Sequence, residues 1–180
     1  MVLHGDVAKS FDLGTATDLL SRTPSVLLWL LATQPDELAK SGTEDDWAPF
    51  DTVGHLIHGE ITDWIPRAKI ILGHGENRTF EPFDRFAQFD ASKGKSIDEL
   101  LKEFHRVRHE SLDELRSMEL NDEKLSLTGM HPEFGEVTLA ELIASWVAHD
   151  MTHIRQIVTY LAKKFGSHVG PWRDYLSILD

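Results

Sequence analysis

Apolar side chains recur along most of the chain at intervals of three and four residues, the spacing of an α-helix with one buried face. A first helix is predicted from about Leu13 toward Arg22. Thr23 and Pro24 then supply an N-cap and a first-turn proline for the apolar run of residues 26–31. This region forms either one kinked helix or two helices. No segment shows the strong alternation of a β-strand, so we predict an all-α protein.

A second long helix is predicted to begin at Pro49. Its apolar face includes Val53, Leu56, Ile57, Ile61, Trp64, Ile65 and Ile70. Pro66 lies inside this segment, where proline removes a hydrogen bond and its ring clashes with the carbonyl group one turn earlier. We therefore expect a kink near Thr62, or the end of the helix there. Gly73 and Gly75 then end the helical pattern.

Capping boxes mark the starts of the last two long helices. In each, a hydroxyl residue precedes a glutamate by three positions, so that each side chain caps the other's backbone N–H. The pairs are Ser96 with Glu99 and Thr138 with Glu141. The last helix ends before Gly166, and residues 119–137 form a long connection that precedes it. Together the segments predict a single domain over residues 1–180, an up-and-down four-helix bundle with extra short helices.

The charge balance of the chain excludes some partners. Its 180 residues include 30 acidic and 18 basic side chains, with a formal net charge of -12. Such a surface repels phosphate backbones and anionic lipids, so we expect a small-molecule substrate rather than nucleic acid or a membrane. No stretch has the pattern of a signal peptide or a membrane span, and no cysteine is present. We therefore expect a cytoplasmic protein.

Two histidines in the last predicted helix, His149 and His153, are four residues apart. Residues at this spacing lie one turn apart on one helix face, so both imidazole rings can reach the same point. Neutral imidazole binds Zn, Ni, Cu and Fe, which makes the pair a candidate metal site. Exposed or hydrogen-bonded histidines without a metal show the same spacing. His55 and His58 of the second helix could supply a third ligand, but they share a face and spacing does not distinguish them.

Short motifs around these histidines resemble those of a known family. Trp47-Ala-Pro49 is followed by Gly54-His-Leu-Ile57, and the late helix reads Trp146-Val-Ala-His-Asp-Met-Thr-His-Ile-Arg-Gln156. The similarity extends over nearly the whole chain through Phe83-Asp84, His131-Pro-Glu-Phe-Gly135 and Gly170-Pro-Trp172. Motifs in this order are similar to those of the DinB/YfiT-like superfamily of proposed metalloenzymes. The resemblance implies that His55, His149 and His153 bind a divalent metal ion, with zinc or nickel expected.

Three neutral nitrogen ligands leave at least one coordination position of a divalent ion open, as in catalytic zinc sites. An ion of this kind activates water for hydrolysis or a thiol for transfer. Because the chain has no cysteine, the thiol would come from a cofactor. The resemblance implies an S-transferase that uses a low-molecular-weight thiol such as bacillithiol or mycothiol. The alternatives are a metal-dependent hydrolase, a stress protein that binds a metal or small molecule without turnover, and a bundle whose histidines are only hydrogen-bonded.

Other polar residues near the motifs are weaker candidates. Asp150 points away from the histidine face and is expected to form a surface salt bridge or to support a histidine of another turn. Gln156 and Glu60 could hydrogen-bond within a pocket, although a solvated or capping position is the preferred interpretation. His131 is the outside residue most able to reach the pocket mouth. The remaining histidines are predicted to lie at the surface: His4, His74, His105, His109 and His168.

The apolar run of residues 26–31 and the aromatic-rich loop of residues 80–89 offer more nonpolar surface than one bundle needs. Relatives in the resembling family often pair through helices. We therefore expect a homodimer.

Overall fold

Helices make up most of the structure, a computed structural model that describes residues 11–32, 42–43, 46–73 and 78–180. In chain order the elements are α1 (Leu13–Leu31), α2 (Pro49–Gly59), a π-helical turn (Glu60–Trp64), α3 (Ile65–Leu72), α4 (Ala87–Ala91), α5 (Ile97–Ser117), α6 (Asp122–Leu125), strands β1 (Thr128–His131) and β2 (Gly135–Thr138), α7 (Leu139–Lys163), and two 3-10 helical turns (Gly170–Tyr175 and Ser177–Leu179). The predicted all-helical fold class is confirmed, with one small hairpin added. Among the described residues, no helix combines the length and the apolar character needed to cross a membrane.

The N-terminal segment forms one helix, α1, although Pro24 lies in its interior. Proline has no N–H, so the carbonyl oxygen of Leu20, one turn earlier, lacks its helical donor. The Arg108 guanidinium replaces that donor, with Nη1 donating to the Leu20 oxygen at 2.9 Å. The helix continues through the proline because a side chain of α5 supplies the missing hydrogen bond.

The interruption predicted at Pro66 takes the form of a π-helical turn, after which the chain continues as α3. A π-turn holds one more residue than an α-turn and therefore rotates the side chains that follow it by roughly 100°. Glu60 is buried in this turn, whereas Ile61 is 55% exposed. The assignment of Ile61 to the apolar face is therefore wrong, because it assumed an uninterrupted period of 3.6 residues.

Both predicted capping boxes are present. Ser96 Oγ accepts a hydrogen bond from the Glu99 N–H at 3.3 Å, and the Glu99 carboxylate accepts one from the Ser96 N–H at 2.7 Å. Thr138 and Glu141 make the equivalent hydrogen bonds at 3.1 and 2.7 Å. These contacts determine where α5 and α7 begin, and therefore the position of each side chain along the helix axis.

The connection between α5 and α7 contains α6 and an antiparallel hairpin of β1 and β2, which the sequence did not predict. Each strand has four residues, too few for an alternating pattern to be recognised. The Phe80 N–H donates to the Met130 carbonyl at 2.9 Å, and the Met130 N–H donates to the Arg78 carbonyl at 2.8 Å. These hydrogen bonds fix the segment before α4 to β1 and bring both toward the same side of the bundle.

The long helices pack as a bundle in which α1 and α2 each contact both α5 and α7. Their buried apolar residues form two clusters. One cluster includes Leu20, Trp64, Leu112, Leu139 and Trp146. The other includes Leu27, Leu56, Phe104 and Ile157. Each of the four helical segments, counting α2 and α3 as one, contributes to both clusters.

Along these helices, buried charge lies between the residues of the two clusters. Arg108 of α5 is fully buried and donates to the Glu60 carboxylate at 2.8 and 3.0 Å and to the Asp150 carboxylate at 2.9 Å. Thr23 Oγ1 donates to Asp150 at 2.6 Å, and Trp146 Nε1 donates to Glu60 at 3.0 Å. Burial raises the pKa of Glu60, and the charge of Arg108 opposes that shift. All four long helical segments therefore meet around one cation.

Removal of this cation should destabilise the fold strongly. In Arg108→Met, the carboxylates of Glu60 and Asp150 stay buried without their partner, so the free energy of unfolding should fall by about 3–5 kcal/mol. Urea denaturation followed by circular dichroism measures the change. Arg106→Met is the matched control, because Arg106 and its partner Glu110 are 58% and 62% exposed, and it should cost less than about 1 kcal/mol. Equally small changes in both variants would contradict a structural role for Arg108.

Candidate metal centre

Three histidine side chains from two packed helices meet at one point. His149 and His153 lie one turn apart on α7, and His55 lies on α2. The Nε2 atom of His149 is 3.1 Å from that of His153 and 3.1 Å from that of His55. One nitrogen from each ring lies within 4.8 Å of the others. The fold thus brings together the three histidines that the sequence motifs single out.

Hydrogen bonding among the three rings does not account for this arrangement. An imidazole nitrogen carries either one proton or one lone pair, and either one points in a single direction in the ring plane. His149 Nε2 therefore cannot form a well-aligned hydrogen bond with both neighbours. Three lone pairs directed at a common ion meet no such conflict. Nitrogens bound to one divalent ion at ~2.1 Å lie roughly 3.0–3.4 Å apart, a range that includes the two 3.1 Å separations from His149. For the third pair, His55 and His153, the nitrogens lie within 4.8 Å of each other.

Burial keeps the imidazole rings neutral. His55 and His153 are 6% and 9% exposed, and His149 is half-buried. Desolvation is the main cause that lowers the pKa of His55 to about 3 and that of His149 to about 2, and the neighbouring His153 adds to both shifts. Burial also lowers the pKa of His153, although its hydrogen bond with Gln156 opposes the shift. Neutral rings have the free lone pairs that metal binding requires.

Neighbouring side chains orient these rings. Gln156 Oε1 lies 2.9 Å from His153 Nδ1, which donates to it and leaves Nε2 free to face the other rings. Trp47 stacks on His153 with ring centroids 6.3 Å apart and contacts His55 at 4.9 Å. The Nδ1 atoms of His55 and His149 have no hydrogen-bond partner among the described residues. Gln156 is therefore not a solvated residue but one that positions a histidine.

The glycine before His55 permits a close contact between helices. A Cβ atom at Gly54 would lie 2.5 Å from Ser92 Oγ and 3.5 Å from Gln88 Cβ. Gln88 belongs to α4 and Ser92 is its C-cap, so α4 packs closely on α2, and a larger residue at position 54 would require the Ser92 hydroxyl to move. The contact gives a physical reason for the glycine of the Gly-His-Leu-Ile motif, since it fixes the helix that presents His55.

His58 lies outside the histidine cluster. Its ring contacts Phe83 with centroids 5.0 Å apart, and its Nε2 is 3.5 Å from Thr62 Oγ1. It is also more exposed than His55. The structure therefore separates the two histidines that helix spacing alone left equivalent.

The other sequence candidates divide between the pocket, the core and the surface. His131 lines the same cavity as two of the cluster histidines, as predicted. Asp150 and Glu60 are buried partners of Arg108, so the surface position expected for Asp150 and the solvated or capping position preferred for Glu60 are wrong. The periodicity of a single helix could not show that Arg108 of α5 lies beside Glu60 and Asp150 in the folded bundle. His105, His109 and His168 are exposed, whereas His4 and His74 lie outside the described residues.

A cavity of about 530 Å³ opens beside the histidines. Its walls come from α2 and the π-turn, from the loop before α4, from the turn between β1 and β2, and from α7. Cavities of this size accommodate small molecules. His55 and His149 form part of the lining, so a bound molecule would lie next to the three converging nitrogens.

Asp63 is a candidate that the sequence analysis missed. It is 7% exposed, lines the same cavity and forms an ion pair with Arg67 Nε at 2.5 Å. Burial raises the pKa of Asp63 to about 6, against the opposing charge of Arg67. A carboxyl group with this pKa can exchange protons near neutral pH. Periodicity concealed it, because residues eight apart on an uninterrupted α-helix differ by roughly 80° and only the π-turn brings Asp63 to the His55 side.

Comparisons with known proteins agree with this fold. A family model described as the DinB superfamily matches residues 19–157. Among solved structures, the chain is similar to YfiT from Bacillus subtilis, described as "a probable metal-dependent hydrolase with an unusual four-helix bundle topology". The TM-score is 0.70 at 19% identity, over 83% of this chain and 86% of the YfiT chain, which shows a shared fold. A comparison with curated protein sequences gave no match. Because the family match spans most of the chain and includes all three clustered histidines, the protein belongs to the DinB superfamily.

Proposed function

We propose that His55, His149 and His153 bind a divalent metal ion, zinc or nickel, and that the protein is a metal-dependent enzyme. The convergence of one nitrogen from each of the three rings carries the proposal. A divalent ion with three neutral ligands supplies Lewis acidity and activates a water molecule or a thiol. The description of YfiT as a probable metal-dependent hydrolase supports metal-dependent chemistry on this fold.

Elemental analysis of protein purified without an affinity tag tests the ligand assignment. The native chain should contain about one divalent ion, and His153→Ala should lose it because α7 then offers a single ligand. His58→Ala is the matched control and should retain most of the metal, since His58 lies outside the cluster.

His55→Ala decides between the two histidines of α2, and we expect it to lose the metal. If His58→Ala lost the ion while His55→Ala kept it, the ligand set would be wrong although the fold would stand. A native chain without metal after incubation with zinc or nickel would contradict the proposal and leave the histidines as hydrogen-bonded core residues.

For the reaction, we propose the transfer of a low-molecular-weight thiol to an electrophilic small molecule. The cavity of about 530 Å³ has room beside the histidines for such a molecule, and the chain has no cysteine of its own to act as the nucleophile. In this reaction the thiol loses its proton, its sulfur bonds to the electrophilic carbon, and the leaving group departs with its electron pair. The alternative is hydrolysis, which the description of YfiT favours, with water in place of the thiol.

Either reaction needs a group that accepts the proton of the nucleophile, and we propose Asp63 for this role. Its carboxylate is the buried acid in the lining of the cavity that His55 and His149 share. Burial has the larger effect and raises the pKa of Asp63, whereas the charge of Arg67 beside the carboxylate lowers that pKa and so favours the ionised form.

Asp63→Asn should lower turnover by about 10²-fold with the metal content unchanged, because an amide cannot accept the proton. Asp63 must be ionised to act and its pKa is about 6, so native kcat/KM should rise with pH up to that value and then level off. The Asn variant should lack this rise. Metal-loaded protein is assayed with chlorodinitrobenzene plus a small thiol, and separately with nitrophenyl acetate without thiol.

Asp113→Asn is the control for these assays, because Asp113 is 75% exposed on α5 and, among the described residues, its ion-pair partner is the exposed Arg116. The turnover of this variant should match the native value. Thiol-dependent product would identify a transferase, and thiol-independent hydrolysis would identify a hydrolase. Metal-loaded protein that turned over neither substrate would favour the non-catalytic binding protein. An unchanged pH profile in Asp63→Asn would exclude Asp63 as the base.

We also propose that two copies of the chain pair through α1. Leu19, Val26 and Trp29 follow one another at helical spacing on its outward side and are 36%, 37% and 88% exposed. An apolar stripe of this kind is costly in water and typical of an interface. In the aromatic loop, Phe86 is 41% exposed, whereas Phe80 is buried and contributes nothing to such a surface.

Light scattering at micromolar concentration should give twice the mass of one chain for the native protein. Trp29→Glu should give the mass of one chain, because pairing would bury its carboxylate without a partner. Trp172→Glu is the control, since Trp172 is 71% exposed but belongs to the 3-10 turn Gly170–Tyr175 and not to the α1 stripe; this variant should remain dimeric. A native protein with the mass of one chain would contradict the pairing.

A further inference from the structure

Arg85 lies at the edge of the cavity beside the histidines and has no carboxylate partner among the described residues. The other arginine of the cavity, Arg67, is neutralised by Asp63. Arg85 is therefore the arginine of this lining that forms no ion pair in the described part of the chain.

Aromatic rings hold the Arg85 guanidinium in place. Its central carbon lies 5.1 Å from the ring centroid of Phe86 and 6.0 Å from that of Trp47. A guanidinium that stacks on aromatic rings keeps its N–H edges available. Those edges match the spacing of two oxygens of a carboxylate, sulfonate or phosphate group. The stacking thus prepares Arg85 to bind an anion at little entropic cost.

The other carboxylate of the lining, Glu133, lies on the turn between β1 and β2 and forms no ion pair with Arg85. Arg85 and His55 both line this cavity. An anion on Arg85 would therefore lie in the same cavity as the converging nitrogens.

Apolar residues also line this cavity, with Phe83 and Pro82 on one segment and Phe134 and Pro132 on another. We infer that the substrate has an anionic group, bound by Arg85, joined to an apolar or aromatic part that lies against Phe83 and Phe134. This inference names the substrate class of the proposed enzyme and rests on the proposed function for the reaction, although the binding itself is tested separately.

Nuclear magnetic resonance titration of the full-length, metal-loaded protein tests the inference with two probes. Phenylmethanesulfonate has an aromatic ring and a negative charge, whereas benzyl methyl sulfone has the same ring without the charge; sulfonate is also a weak metal ligand. The native protein should bind the sulfonate roughly tenfold more tightly than the sulfone, as expected for a hydrogen-bonded ion pair. The shifted backbone N–H signals should include those of Phe83, Arg85 and Phe134.

Arg85→Gln should bind both probes with the affinity of the sulfone, and Arg85→Lys should keep part of the preference for the sulfonate. Arg106→Gln removes the same charge from an exposed site on α5 and should retain the full preference. Equal binding of the two probes by the native protein, or an equal loss in both glutamine variants, would overturn the inference.

Metal content measured on the same samples separates the two proposals. Protein that lacks metal but shows an Arg85-dependent preference for the sulfonate would contradict the metal site and support the anion site. Protein that holds metal and shows no such preference would contradict the anion site alone.

Discussion

Burying the Arg108 guanidinium costs several kcal/mol unless acceptors surround it, and the fold supplies them from three other helical segments. Glu60 comes from the π-turn, Asp150 from α7, and the Leu20 carbonyl from α1. Every acceptor belongs to a different segment, so the hydrogen bonds of Arg108 fix the positions of α1, the π-turn and α7 along the bundle axis relative to α5. Apolar side chains alone would allow these helices to slide by fractions of a turn, because their attraction has no direction.

The same constraint determines where the histidines meet. Asp150 is the next residue after His149 on α7, so the height at which α7 meets Arg108 is also the height of the histidine pair. A second connection runs through aromatic rings: Trp146, which donates to Glu60, stacks on Trp64 at 5.7 Å, and Trp64 contacts His149 at 5.2 Å. The candidate metal centre therefore packs next to the buried ion pairs of Arg108, and such contacts give the support that a preorganised site requires.

The parts of the structure that depend on local signals could be predicted from the sequence. The capping boxes gave the starts of α5 and α7, and the motifs identified the three histidines that the fold brings together. The parts that depend on a facing helix could not. Glu60 and Asp150 are carboxylates, which usually lie at the surface, and their burial depends on the charge of Arg108 from another helix. Asp63 was missed because the π-turn changes the helical phase. Pro66 predicted an interruption of the helix, but not that it would be a π-turn.

The contact between Arg108 and the Leu20 carbonyl changes the effect of Pro24 on the stability of the fold. In most helix interiors proline is destabilising, because an unpaired carbonyl is left behind. Here the carbonyl has a donor, so much of that penalty is removed, while the proline ring still restricts the backbone of the unfolded chain and lowers the entropy lost on folding. The stabilities of variants at these two positions should consequently not be additive, because Arg108 supplies the hydrogen bond that Pro24 removes.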